Sequence, residues 1–133
     1  METRDAARRW AQTWQRAWEA LDAPAIGALY ARDADYVGAP FRASEAPMSY
    51  VERAFAEESE VRAWFGDPIV DGDRAAVQWW ATLTEDGRGI TLAGTSVLRF
   101  DAQGLVVSQW DAWGELDGRR EPPAGWATGN TTA

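Results

Sequence analysis

The chain reads as an α+β domain because two hydrophobic periods follow one another along it. Apolar residues recur at helical spacing near the start, and at alternate positions from Glu60 onward. Short Asp-Gly-type joints separate the alternating runs, and such joints connect antiparallel neighbours. This order predicts a curved antiparallel sheet wrapped by three N-terminal helices. A curved sheet closed by helices on one side is a cone, and a cone leaves a cavity.

Each element has its own signal. Trp10, Trp14, Trp18 and Leu21 lie on one face of a helix over 5–21, with Arg and Gln opposite. Asp22 suits an N-cap and Pro24 a first turn, so a short second helix is expected to about Arg32, burying Ile26, Leu29 and Tyr30. Asp35 to Gly38 reads as a strand and 39–43 as a loop. Ser44 is the expected cap of a third helix that buries Met48, Val51 and Phe55. Residues 61–65, 74–84, 89–100 and 105–113 read as strands, joined by turns at 71–73, 86–87 and 101–104. One domain is expected over 1–123, with an irregular tail over 124–133.

Composition removes whole classes of chemistry. The 133 residues fit one domain. Cysteine and histidine are both absent, which excludes disulfides, thiol nucleophiles, Ser-His-Asp catalysis and most zinc sites. All 13 basic residues are arginine, so no lysine can form a Schiff base. Neither a cofactor nor a metal is expected, and acid–base work falls to Asp, Glu, Tyr, Arg or water. A net charge of −8 speaks against nucleic acid as partner. No run of about 18 apolar residues suggests a membrane span, and the expected location is cytoplasmic. The Ala-Gly-Asp-Trp bias without lysine looks like GC-rich bacterial coding.

Asp111 is the residue out of place. It lies in the apolar run 105–113, and alternation puts Gln109, Asp111 and Trp113 on one face. Burying an unpaired carboxylate is costly, so the position implies a partner or a task.

The order of elements and several strings resemble the nuclear-transport-factor-2-like superfamily and its SnoaL-like branch. The strings are 29–34 (Leu-Tyr-Ala-Arg-Asp-Ala), Pro40-Phe41, 97–104 (Val-Leu-Arg-Phe-Asp-Ala-Gln-Gly), Trp113 and Arg120-Glu121-Pro122. The resemblance spans roughly residues 5–123. It implies the cystatin-like cone and a family that includes ketosteroid isomerases, epoxide hydrolases, polyketide cyclases and members without catalysis. The isomerase pattern wants a tyrosine where Trp14 stands, an aspartate where Ala39 stands and an acid where Ser96 stands, so steroid isomerisation is not expected. The epoxide-hydrolase Arg–Asp pair on a middle strand is replaced by Gln78-Trp79-Trp80, and the cyclase histidine is missing. Asp111 matches the last-strand aspartate of both patterns.

The resemblance also orients the strands. Val77, Trp79, Ala81, Leu83, Ser96, Leu98, Phe100, Gln109, Asp111 and Trp113 would face the cone, joined by Trp14, Trp18, Tyr30 and Phe55 from the helices. The expected site pairs Asp111 as general acid or base with Tyr30. Substrate contacts would come from Trp14, Trp18, Phe55, Trp79, Ser96, Gln109 and Trp113. The bland alternatives are an Asp bonded to an indole or an Arg, and a tyrosine satisfying a core hydrogen bond. The expected ligand is a small hydrophobic molecule, and the rival reading is a non-catalytic binding or interaction module. Trp64, Trp80 and Trp110 fall on the outer face, where they predict an isologous homodimer. Arg119, Arg120 and Glu121 are read as closing the cone mouth or as plain tail.

Overall fold

The computed structural model describes residues 1–127; the expected tail beyond them, 128–133, lies outside the described residues. Helix α1 (Thr3–Ala20) buries Trp10, Trp14 and Trp18 together with Ala6, Ala7, Ala11 and Ala17. The alanines between the indoles let the helix lie close to the sheet while the rings reach into it. It ends where Leu21 turns left-handed at φ 53°, and the Asp22 N–H closes on the Ala17 carbonyl at 2.8 Å. Asp22 then caps α2 (Ala23–Gly27) through the Ala25 N–H, as its position suggested.

Local boundaries differ from the expectation at three places. Helix α2 ends at Gly27, and Tyr30 begins strand β1 (Tyr30–Val37) rather than closing a helix. Helix α3 (Pro47–Glu57) starts from Ala46 with no side-chain cap, so Ser44 does not fill that role. A three-residue strand, β3 (Ile69–Asp71), precedes the Asp71–Asp73 turn and pairs only with β4.

The larger correction concerns the sheet. Strands β2 (Glu58–Phe65), β4 (Arg74–Glu85), β5 (Arg88–Phe100) and β6 (Val106–Asp117) form the expected antiparallel set. Strand β1, however, pairs with β6 in parallel, so the sheet is mixed, with path order β1-β6-β5-β4-β2. The reason is topological. Turn residues report only hairpins, and β1 reaches its partner through α3 and four intervening strands. The sheet is curved and unclosed, and the three helices cover its concave face in the cone architecture.

Curvature needs Gly94. A Cβ there would lie 2.4 Å from the Ala112 carbonyl oxygen and 2.5 Å from the Trp113 Cβ, so only glycine allows β5 and β6 to pack this closely. Alternation then holds: Val77, Trp79, Ala81, Leu83, Ser96, Leu98, Gln109 and Asp111 are all buried on the concave side.

The outer face is not the bare patch of three tryptophans that alternation implies. The chain after β6 runs back over it. Trp80 donates its indole N–H to the Arg120 carbonyl at 2.7 Å, and Trp126 packs edge-on against the Trp80 ring. Arg119 donates to the Glu60 carbonyl and to Thr84, Arg62 pairs with Glu121, and the Arg62 guanidinium lies over Trp64. Arg119–Glu121 therefore strap the convex face instead of closing the cone mouth. Trp110 stays exposed, at 53 %, beside exposed Val97.

Candidate functional site

Asp111 sits on β6 opposite Ser96 of β5, at 7 % exposure. The parallel pairing of β1 and β6 sets Tyr36 beside Gln109 and so within reach of Asp111. Tyr36 is further fixed by a two-way backbone bridge to Glu45, at 3.1 and 2.8 Å. Three donors converge on the carboxyl group. Ser96 Oγ lies 2.6 Å and Gln109 Nε2 3.0 Å from Oδ1, while Tyr36 Oη lies 2.6 Å from Oδ2.

The direction of these bonds is set by groups that can only donate. An indole N–H has no lone pair to offer. Trp10 and Trp14 both donate to the Tyr30 hydroxyl oxygen, at 3.2 and 3.1 Å, so the Tyr30 proton must go elsewhere. It goes to Gln109 Oε1, which turns the amide nitrogen of Gln109 toward Asp111. Likewise Trp79 donates to Ser96 Oγ at 2.9 Å, so the Ser96 proton points to Asp111. Oδ1 thus accepts two fixed bonds. A proton can join Asp111 only at Oδ2, facing Tyr36.

Burial holds the Asp111 carboxyl above its ordinary value, against the opposing pull of the Ser96, Tyr36 and Gln109 hydrogen bonds and of the Arg42 charge. No salt bridge neutralises it among the described residues. Tyr36 and Tyr30 are both raised well above the usual phenol range, chiefly by burial. A second carboxyl is perturbed too. Glu58, where α3 meets β2, is pushed up to about 7 by burial and by the nearby Glu85 and Glu57, partly offset by a 2.8 Å bond from Trp18 Nε1.

These groups surround a small cavity of about 40 Å³. Trp14, Trp18, Phe55, Trp79, Ser96, Gln109, Asp111 and Trp113 all line it. Tyr30 does not: it stands behind Gln109 and touches Asp111 only through that amide. Tyr36, Tyr50 and Glu58 also line the cavity and were not singled out from sequence. Alternation through Ala34 and Tyr36 was the available signal for the first, had β1 been given its full length. Tyr50, Glu58 and Trp113 are shared between this cavity and a wider vestibule of about 360 Å³. There Arg42, from the loop after β1, lies 5.5 Å from the Trp113 ring centre and 6.0 Å from that of Tyr50. Trp113 is itself held by its indole bond to the Gly38 carbonyl, 2.6 Å.

Among the described residues no group of three or more acidic side chains is placed to hold a metal ion. No helix among them is long and apolar enough to cross a membrane.

A profile of the SnoaL-like domain matches residues 7–109. No curated protein matches the chain in sequence. Among solved structures, PrhC from Penicillium brasilianum NBRC 6234 superposes with a TM-score of 0.72 at 15% identity, covering 85% of this chain and 83% of its own. SalBIII, an epoxide hydrolase/cyclase-like enzyme with a role in pyran ring formation in the polyether salinomycin, gives 0.71 at 18% identity, over 83% of this chain and 91% of its own. A hypothetical protein with a ketosteroid isomerase-like fold from Catenulispora acidiphila DSM 44928, in complex with trimethylamine, gives 0.66 at 20% identity, over 75% and 81%. At these identities the likeness is one of fold.

Proposed function

We propose, given that the chain belongs to the SnoaL-like domain family, that it is a cofactor-independent acid–base enzyme acting on a small, largely apolar molecule. Asp111 is the proton-transfer group and Tyr36 its partner at the reacting face. The carrying observation is the one-way hydrogen-bond relay that leaves Oδ2 of Asp111 as the sole site for a proton. When Asp111 is ionised, Tyr36 donates to it and offers the cavity only lone pairs. When Asp111 is protonated, Tyr36 accepts, and its own proton turns into the cavity as a donor. One proton therefore converts the site from a base to a hydrogen-bond donor, which is what isomerisation, cyclisation, dehydration or hydrolysis asks of it. Tyr30, expected from sequence to act on substrate, is in this reading a positioning residue that orients Gln109.

The test is Asp111→Asn. An asparagine can accept from Ser96 and Gln109 and donate to Tyr36, so it mimics the protonated acid without transferring a proton. We expect a folded protein that unfolds at a higher temperature than the parent at pH 8 and turns over no substrate in a screen of small epoxides and enolisable carbonyl compounds. Retained turnover would remove Asp111 from the chemistry.

A second reading, a non-catalytic binding or interaction module, is favoured by the size of the cavity, since the indoles fill most of the cone. A homodimer also belongs to the proposal, its contact moved toward Trp110 and Val97 because the strap occupies Trp80.

A further inference from the structure

We propose that the neck of this pocket binds a positively charged nitrogen, so that the ligand is a small alkylammonium with its apolar part turned toward the tryptophan-lined cavity. The inference deepens the acid–base reading and rests on the same pocket. It starts from the three side chains shared by the inner cavity and the vestibule that could address a charge, Tyr50, Trp113 and Glu58. Trp113 and Tyr50 present rings and Glu58 presents a carboxyl group. The Tyr50 ring is stacked on Tyr36 at 4.9 Å and has the Arg42 and Arg53 guanidinium groups 6.0 and 5.7 Å from its centre, so a ligand cation takes the place Arg42 now holds. Aromatic faces attract cations through their quadrupole, most strongly where water is excluded.

The molecule itself shows that one cation can contact both rings. The Arg42 guanidinium already does so, from an exposed loop, at 5.5 and 6.0 Å from the two ring centres. It behaves as a tethered occupant at the entrance. Further in, among the described residues, no arginine lines the cavity, and its carboxyl groups are Asp111 and Glu58. An anionic ligand would meet both without a counter-charge. A neutral ligand would leave the half-buried Glu58 side chain with the indole N–H of Trp18 as its partner. A cation offsets the partial loss of water at Glu58 and can meet the Trp113 and Tyr50 rings that Arg42 now contacts. The vestibule adds Glu57 and Glu85, together with Glu115, which pairs with Arg88 at 3.7 Å, while its other arginine, Arg53, is paired with Glu45 at 2.9 Å. Its field therefore draws cations in. Size agrees as well. The vestibule has room for a methylated ammonium head, and the inner cavity admits only a few heavy atoms.

The experiment titrates the full chain at neutral pH and constant ionic strength with tetramethylammonium chloride and, separately, with the similarly shaped but uncharged tert-butanol. Calorimetry and tryptophan fluorescence read the binding. We expect saturable binding of the ammonium, with the alcohol at least about tenfold weaker. Glu58→Gln, which keeps the acceptor for Trp18, should weaken ammonium binding by about tenfold. Arg42→Ala should tighten it severalfold, because the tethered competitor is gone; a merely structural Arg42 would give the opposite sign. That variant lies in an exposed loop, so it keeps the test open if Glu58→Gln folds poorly. Equal or better binding of tert-butanol would overturn the cationic ligand and leave the acid–base reading standing. Absence of ammonium binding in both parent and Arg42→Ala would also overturn it. The acid–base reading fails on a different result, retained turnover by Asp111→Asn.

Discussion

Two carboxyl groups in this chain are held above their ordinary range for the same reason, loss of water, but they are supported differently. Asp111 has three hydrogen-bond donors and no cation in a salt bridge, while Glu58 has one donor and acidic neighbours. The Glu58 case yields a signed expectation. Its pKa is 4.5 ordinarily and about 7 in the folded chain, so between those values the folded state holds a proton that the unfolded state has lost. Stability from this group is therefore intact below 4.5 and falls as pH rises toward 7. Glu58→Gln removes that slope. Urea unfolding at pH 4.5 and pH 8 should show the variant level with the parent at the lower pH and more stable at the higher, by at most roughly 3 kcal/mol. A parent whose stability does not fall across this window would show that Glu58 is solvated. Asp111 was legible in the sequence because a carboxylate in an apolar alternating run has no bland explanation at low cost. Glu58 was not, since a glutamate where a helix meets a strand reads as an ordinary surface residue until the fold brings Trp18 against it.

At the scale of elements, the site is made by one pairing, β1 alongside β6. It delivers Tyr36 to Asp111 and the loop bearing Arg42 to the mouth. Local sequence cannot encode that pairing in a turn, because β1 and β6 are far apart in the chain and run in the same direction. The hairpins were legible for the opposite reason: Asp71-Gly72 and Asp86-Gly87 are turn chemistry, with both glycines at positive φ. The β5–β6 contact rests on Gly94. Gly94→Ala places a methyl against the backbone of Ala112 and the Trp113 side chain, so it should force the strands apart. We expect a loss of about 1–3 kcal/mol in urea unfolding and a red-shifted tryptophan emission as Trp113 leaves its bond to Gly38. A neutral effect would mean that β5 can shift without cost.

For the whole molecule, the concave and convex faces of the sheet have different fates. The concave face is filled by indoles from α1 and keeps the cavity. The convex face is strapped by the segment after β6, which occupies Trp80, while Arg62 of β2, paired with Glu121, lies over Trp64 and Trp110 is left uncovered. Alternation correctly put all three tryptophans outside; it could not show that Arg120 and Trp126 return to cover Trp80, because a segment rich in Pro and Gly carries no periodic signal. If the chain pairs with a second copy, Trp110→Glu should convert the dimer mass to the monomer mass in native mass spectrometry, because the symmetric contact would oppose like charges. A dimer that survives this change would place the interface elsewhere.

The claim on which the rest depends is that Asp111 carries its proton on Oδ2, beside Tyr36, at pH values where surface carboxylates are ionised. Difference infrared spectroscopy of the parent against Asp111→Asn, followed across pH, reads that proton directly. The expected result is a protonated-carboxyl carbonyl band that persists in the parent above the ordinary carboxylate range and is missing from the variant. An Asp111 that ionises together with the surface carboxylates would contradict the relay, and with it the proposed chemistry.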